Sequence, residues 1–286
     1  MSRSAILVSC AELPSGDGDD DAVLPALSEL GFTVSWAAWD SGADFASADA
    51  VMLRATWDYA PRRAEFLDWC ESVPSLFNSA AVVRWNTDKS YLAELLDAGV
   101  AVVPTSLVEP GDKARFPSSD FVVKPSVGAG SRGAARFAAG EDASAHLASL
   151  HAEGHTALIQ PYQSSVDTSG ELALVYLGGI YSHAFAKGAM LGSTMDASGL
   201  YLSEELAPAS PPSDAVALAE DVLDAATAVL GILRAELLYA RVDVVRGADG
   251  KPLLLELELT EPSLGFRQTD PSAAMRFASA VRQQLT

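Results

Sequence analysis

Two apolar runs in the last fifth of the chain carry charges that apolar strands rarely hold. Tyr239-Ala240-Arg241-Val242-Asp243-Val244-Val245 is followed, after Asp249-Gly250, by Leu253-Leu254-Leu255-Glu256-Leu257-Glu258-Leu259-Thr260-Glu261-Pro262-Ser263. Asp-Gly between two strand-like runs signals a hairpin. Residues two apart on a strand share a face, so Arg241 goes with Asp243 and Glu256 with Glu258. A hairpin that pairs those faces brings three carboxylates to one wall. Unpaired, they would be prohibitive to bury; an oxygen-rich wall instead suits Mg2+ or Mn2+ held together with substrate phosphates. The competing reading is an exposed, half-polar hairpin.

A second group of residues points to phosphate. Asp120-Phe121-Val122-Val123-Lys124-Pro125 reads as a strand ending in a lysine, followed by Ser126-Val127-Gly128-Ala129-Gly130-Ser131-Arg132-Gly133 and a returning strand at Ala135-Arg136-Phe137. Glycines let backbone N–H groups approach phosphate oxygens, and Lys124 can reach the same oxygens. No Gly-Lys-Ser/Thr follows, so this is not a Walker loop; a plain Gly-rich turn is the alternative. Lys89, expected in the first turn of a helix opened by Trp85-Asn86-Thr87-Asp88-Lys89, lies against the helix dipole and fits a bound anion or a simple surface lysine. A third group, Arg54-Ala55-Thr56-Trp57-Asp58-Tyr59, follows a strand end, where open α/β sheets bind ligands. Arg54 can hold a carboxylate bidentately, with Trp57 and Tyr59 as walls; the alternative is a packed aromatic loop. His146, His151 and His155 have no further ligand near them in sequence and read as solvated rather than as a zinc site.

Composition limits the partners. The chain has 286 residues, 49% hydrophobic and 20% charged, with a formal charge of −19. That balance reads as globular and argues against a nucleic-acid or anionic-membrane binder. Any phosphate ligand must then be held by a few local bases. Two cysteines, Cys10 and Cys70, make neither a metal spacing nor a disulfide framework, and the expected compartment is a reducing cytoplasm. No stretch approaches a membrane-spanning length.

The elements that must position these residues follow from periodicity and turn signals. Strands are expected at 5–9, 32–36 and 50–54, with helices at about 20–30, ending at Gly31, and from Pro61 to about Ser72. Strand–helix alternation makes the first 85 residues a Rossmann-like unit, without a Gly-x-Gly-x-x-Gly after strand one. The helix begun near Asn86 or Thr87, either a plausible N-cap, ends at Gly99. A helix is expected near 141–153 and a strand at Thr156 to Gln160, halted by Pro161. Glu171 to Leu177 and Ile180 to Lys187 flank Gly178-Gly179 as a hairpin. Residues 188–199, rich in Gly, Ser and Met, read as a mobile loop. Helices at 213–230 and from about 271 complete the chain.

In this order the features resemble the ATP-grasp superfamily, in its glutathione-synthetase and D-Ala-D-Ala-ligase type, over residues 86–286. Arg54 to Tyr59 with Trp85 to Lys89 resemble a narrower branch, the O-ureido-D-serine cyclo-ligases of cycloserine biosynthesis. The resemblance implies a mixed α/β and α+β fold: a Rossmann-like N-terminal substrate unit (1–85), then a two-lobed ATP-grasp fold with a small central lobe (86–160) and a C-terminal lobe bearing the metal site (161–286). It implies Lys89 and Lys124 along the phosphates of ATP, and Gly128, Gly130, Ser131 and Gly133 in the loop closing over them. Gln160, Pro161 and Tyr162 become the hinge that meets adenine through its backbone; Gln160 stands where the family often has Glu. Glu171 becomes the ribose-binding acid. Lys187 and Arg241 fall at the reacting phosphoryl group, and Asp243, Glu256 and Glu258 at Mg2+ or Mn2+. Glu258 replaces the usual Asn and adds a negative charge. In this scheme Arg54, Trp57 and Asp58 meet an amino-acid-like substrate. The implied activity is ATP-dependent activation of a carboxylate as acylphosphate, captured by a nitrogen nucleophile, within one molecule or between two, in a homodimer. A nucleotide-binding regulator without turnover is the reading from a different class.

Overall fold

The computed structural model describes residues 3–189, 195–202 and 205–286. Its first elements are β1 (Arg3–Ser9), α1 (Val23–Glu29), β2 (Phe32–Ala38), β3 (Ala50–Ala55), α2 (Arg63–Ser72) and β4 (Leu76–Phe77). The four strands form a parallel sheet in the order β2-β1-β3-β4. Two short helices follow, α3 (Ala80–Asn86) and α4 (Tyr91–Asp97). The next group is β5 (Ser106–Val108), β6 (Phe121–Pro125), β7 (Ala135–Phe137), α5 (Ser144–Ala152) and β8 (Ala157–Pro161), an antiparallel sheet in the order β5-β8-β6-β7. The last group is α6 (Ser165–Ser169), β9 (Glu171–Leu177), β10 (Ile180–Lys187), β11 (Leu206–Ala209), α7 (Ser213–Leu230), β12 (Tyr239–Arg246), β13 (Pro252–Glu258) and α8 (Ser272–Gln284). Its five strands run β11-β10-β9-β12-β13, all antiparallel.

The third sheet is covered on both faces, which explains its continuous apolar runs. Side chains alternate along a strand. Leu174 and Tyr176 of β9, with Val242 and Val244 of β12, pack under α7 through Leu218, Val222 and Leu223. Ala173, Val175 and Leu177 point the other way, into a cluster with Phe277 and Val281 of α8 and Leu7 of β1. Gly178 and Gly179 close the β9–β10 hairpin at φ 59° and 77°, the left-handed region that only glycine enters freely.

The structure corrects one helix. Residues 80–86 already form α3, so Asn86 and Thr87 end a helix instead of capping the next one. Asn86 turns inward, donating to the Leu257 carbonyl at 2.7 Å and accepting from the Leu259 N–H at 2.7 Å, and so binds α3 to β13. Tyr91 of α4 does the same at Leu257, its hydroxyl bonding both the carbonyl (2.8 Å) and the N–H (2.9 Å). Val82, Tyr91, Leu92, Leu95, Val100 and Val102 therefore pack in the core under the five-stranded sheet, which Leu158 of β8 also enters. Of the segment expected to be a mobile loop, residues 190–194 lie outside the described residues. Among the described residues no helix is long and apolar enough to cross a membrane.

Candidate active site

Strand register assembles the charged wall. Across the third sheet, Phe185, Ala173, Asp243 and Glu256 stand in one row, and His183, Val175, Arg241 and Glu258 in the next. Lys187 pairs with Glu171 one step further along the same face. Arg241 grips Asp243 with both arms of its fork, Nε to Oδ1 and Nη2 to Oδ2 at 2.9 Å each, and also bonds Glu258 and the Ser263 carbonyl. Lys187 Nζ lies 2.7 Å from Asp243 Oδ2 and 2.9 Å from Glu171 Oε2. Lys89 Nζ reaches Glu256 Oε1 at 3.2 Å and the Gly128 carbonyl at 2.7 Å. Lys124 borders the same space, and among the described residues it forms no ion pair.

Burial and charge pull these groups apart in acidity. Burial pushes Asp243 up, but Arg241 and Lys187 outweigh it and hold the carboxyl at about 2. Glu256 is raised by burial, yet Lys89 and Lys124 bring it below the ordinary range. Glu258 is lifted to about 7, by burial first, with Asp243 and Glu256 acting against its Arg241 partner. Burial lowers Lys124, with Lys89 and Lys187 adding to the effect against the pull of Glu256.

Among the described residues no three His, Cys, Asp or Glu side chains stand grouped as a ready metal centre, and each wall carboxylate is engaged by a cation. The donor set itself suits a hard divalent ion. Glu256 and Glu258 offer carboxylate oxygens with 24% and 28% of their side-chain surface open, and Asp243 lies behind them.

The wall forms one side of a cavity of about 560 Å³. The expected residues Lys89, Lys124, Gly128, Gly130, Ser131, Gln160, Pro161, Tyr162, Glu171, Lys187, Arg241, Glu256, Glu258 and Trp57 all border it. Over the opening, the Gly-rich loop is tied to the first sheet's loop: Arg132 Nη2 donates to the Trp57 carbonyl at 2.7 Å, and Trp57 Nε1 to the Glu261 carbonyl at 3.0 Å. Gly130, at φ 62°, lies so close to segment 200–201 that a Cβ would come within 2.5 Å of the Leu200 carbonyl.

Four expectations fall outside the cavity, the first being Asp243, which is 1% exposed and lies behind the wall. Gly133 packs against Pro125 and does not border it. Arg54 is 1% exposed and turned away: its Nε meets Asp20 at 3.0 Å, and its guanidinium lies over the rings of Tyr239 and Phe277. Asp58 accepts from Trp39 Nε1 at 3.0 Å and from Arg62 at 2.6 Å. Both charges are neutralised inside the N-terminal unit and neither faces the cavity. Tyr59, expected as a wall, does border the cavity, and with it stand Asp17, Arg132, Glu261, Ser263, Arg267 and Gln268, to which the motifs gave no role. For Glu261 the signal was present, an acid just past the strand that carries Glu256 and Glu258.

The comparison with known proteins bears on this geometry. Residues 5–78 match the family model of the N-terminal domain of D-cycloserine synthetase DcsG. The whole chain is 39% identical, over 303 aligned positions and 99% of the relative, to the cycloserine biosynthesis protein DcsG of Streptomyces lavendulae. The chain belongs to the DcsG family. The crystal structure of D-cycloserine synthetase DcsG superposes on it with a TM-score of 0.89 at 38% identity, covering 99% of this chain and 100% of that one. D-alanine–D-alanine ligase of Bacillus anthracis, in a crystal structure with ATP, superposes with a TM-score of 0.68 at 13% identity, covering 99% and 97%, which is a likeness of fold. This DcsG-family chain has the ATP-grasp fold and is an ATP-dependent ligase.

Proposed function

We propose that this DcsG-family ligase uses ATP and Mg2+ to convert the carboxylate of an amino-acid-like substrate into an acylphosphate. A nitrogen of the same molecule then captures the acyl group and closes a ring, with release of ADP and phosphate. The observation that carries the reading is Lys124, a half-buried cation that borders the cavity without an acid of its own, beside Lys89 and Lys187. Support for ring closure comes from the full-length relative, a cycloserine biosynthesis protein.

Attack of a carboxylate on the γ-phosphate brings anions together, and most of what such a site does is cancel that repulsion and hold the groups in line. Lys89, Lys124, Lys187 and Arg241 supply the cationic side. The backbone of Gln160, Pro161 and Tyr162 meets the adenine edge, and Glu171 the ribose. Mg2+, held by Glu256 and Glu258 with Asp243 behind, adds charge against the β- and γ-phosphates when bound. An acylphosphate is sensitive to water, and the tie from Arg132 to Trp57 keeps the Gly-rich loop over it.

The test is substrate-dependent ADP release with O-ureido-D-serine, other O-substituted serines and common amino acids, with product masses. The expected product derives from a single substrate molecule. Glu256→Gln, which removes a charge and almost no volume, abolishes turnover while the protein stays folded. A product joining two amino acids would replace ring closure by intermolecular ligation. ATP binding without ADP release for every carboxylate would overturn the proposal.

A further inference from the structure

Two cavity carboxyls are left unused by phosphate chemistry, Asp17, which accepts from the Asp19 N–H, and Glu261. Glu261 is the one that follows directly on the charged wall. It is 8% exposed and borders the cavity just after β13 ends. Glu171, Glu256 and Glu258 each pair with a lysine or arginine. Glu261 forms no ion pair among the described residues; its side chain neighbours Tyr59, which borders the same cavity. Both ends of that contact are fixed. Trp57 Nε1 holds the Glu261 carbonyl at 3.0 Å, and the Tyr239 hydroxyl holds the Thr260 carbonyl at 2.9 Å. Tyr59 is 3% exposed and stacked on Phe66 with ring centroids 5.1 Å apart. Glu261 therefore stands between the charged wall of β12 and β13 and the loop after β3. An acid beside other acids is a costly choice there. A glutamine would make the same contact with Tyr59 without bringing a charge near Glu258.

We propose that Glu261 is the general base of the capture step. As the substrate nitrogen attacks the acyl carbon, the C–N bond forms and the acyl C–O bond to phosphate breaks, its electron pair leaving on phosphate. The proton shed by the nitrogen passes to the Glu261 carboxylate. This inference rests on the acylphosphate reading above. It gives the buried acid a use that neither a metal ligand nor a structural contact requires. Burial and Glu258 raise the carboxyl to about 8 while Lys89 and Tyr59 pull it down, and a base is most effective with a pKa close to the working pH.

The test separates activation from capture. Added hydroxylamine, a strong nucleophile that needs no base, traps an acylphosphate as hydroxamate. In Glu261→Gln, ring-closed product should fall about 100-fold or more, the usual scale for a lost general base, while trapped hydroxamate falls less than about 5-fold. Tyr59→Phe keeps the ring and loses only the hydroxyl. It should show the same selective loss at roughly 10-fold or less, and it carries the test should Glu261→Gln fail to fold. Equal loss of product and hydroxamate in the folded variant overturns the role of Glu261 alone. Wild-type enzyme that yields no hydroxamate from any carboxylate overturns the acylphosphate reading, and this inference with it.

Discussion

Lys187 and Asp243 meet at 2.7 Å across a strand that lies between theirs. They belong to β10 and β12, and β9 separates them. The β9 residue in register with Asp243 is Ala173, which is fully buried. A methyl group there leaves the lysine stem room to cross. Ala173→Leu should displace Lys187 from Asp243, cost about 1–3 kcal/mol as an overpacked core residue, and lower turnover. Denaturant melts and steady-state kinetics measure both, and unchanged values for both would show that the crossing does not depend on a small residue.

Lys124→Met tests the nucleotide assignment. A lysine that meets phosphate contributes a charge-assisted hydrogen bond of roughly 1.5–3 kcal/mol. ATP should weaken by that amount and adenosine far less, as read by titration calorimetry. Equal losses for ATP and adenosine would mean that Lys124 meets no phosphate.

Arg54→Met tests the burial of an expected substrate residue. Arg54 and Asp20 are 1% and 4% exposed, and removing one partner of a buried pair costs about 3–5 kcal/mol. The variant should be much less stable, yet its KM for substrate should match wild type while it remains folded. A raised KM at full stability would return Arg54 to the substrate site.

Stability should depend on pH through Glu261. Its carboxyl rises from an ordinary 4.5 to about 8 in the folded protein. The folded state thus holds a proton that the unfolded chain has released between those values. That contribution is complete below about pH 4.5 and is lost as pH rises through about 8. Glu258, raised to about 7, acts in the same direction. Asp243, held at about 2, acts oppositely and only at the acid end, its contribution being lost as pH falls below its ordinary 3.8. The Tm of the ligand-free protein should therefore fall between about pH 6 and pH 8.5, and Glu261→Gln should flatten the fall. A Tm that rises over this range, or a slope unchanged in the variant, would contradict the assignment.

What the amino-acid sequence determined by itself was whatever depends on neighbours along the chain. Alternation placed Arg241 with Asp243 and Glu256 with Glu258, Asp249-Gly250 closed their hairpin, and Gly178-Gly179 closed the other. Helix α7 occupies the expected residues 213–230, since its apolar stripe and the glycine after it are local signals. Only the tertiary structure decided which polar side chains would be engaged by distant elements. Arg54 is taken by Asp20, 34 residues earlier, and Asn86 by β13, 171 residues later. Glu261 likewise is held through its carbonyl by Trp57, from a loop of the first sheet. The reason is physical. Strand and helix periods fix the direction of a side chain relative to its own element, whereas its partner, and so its charge state, depends on which distant element packs against it.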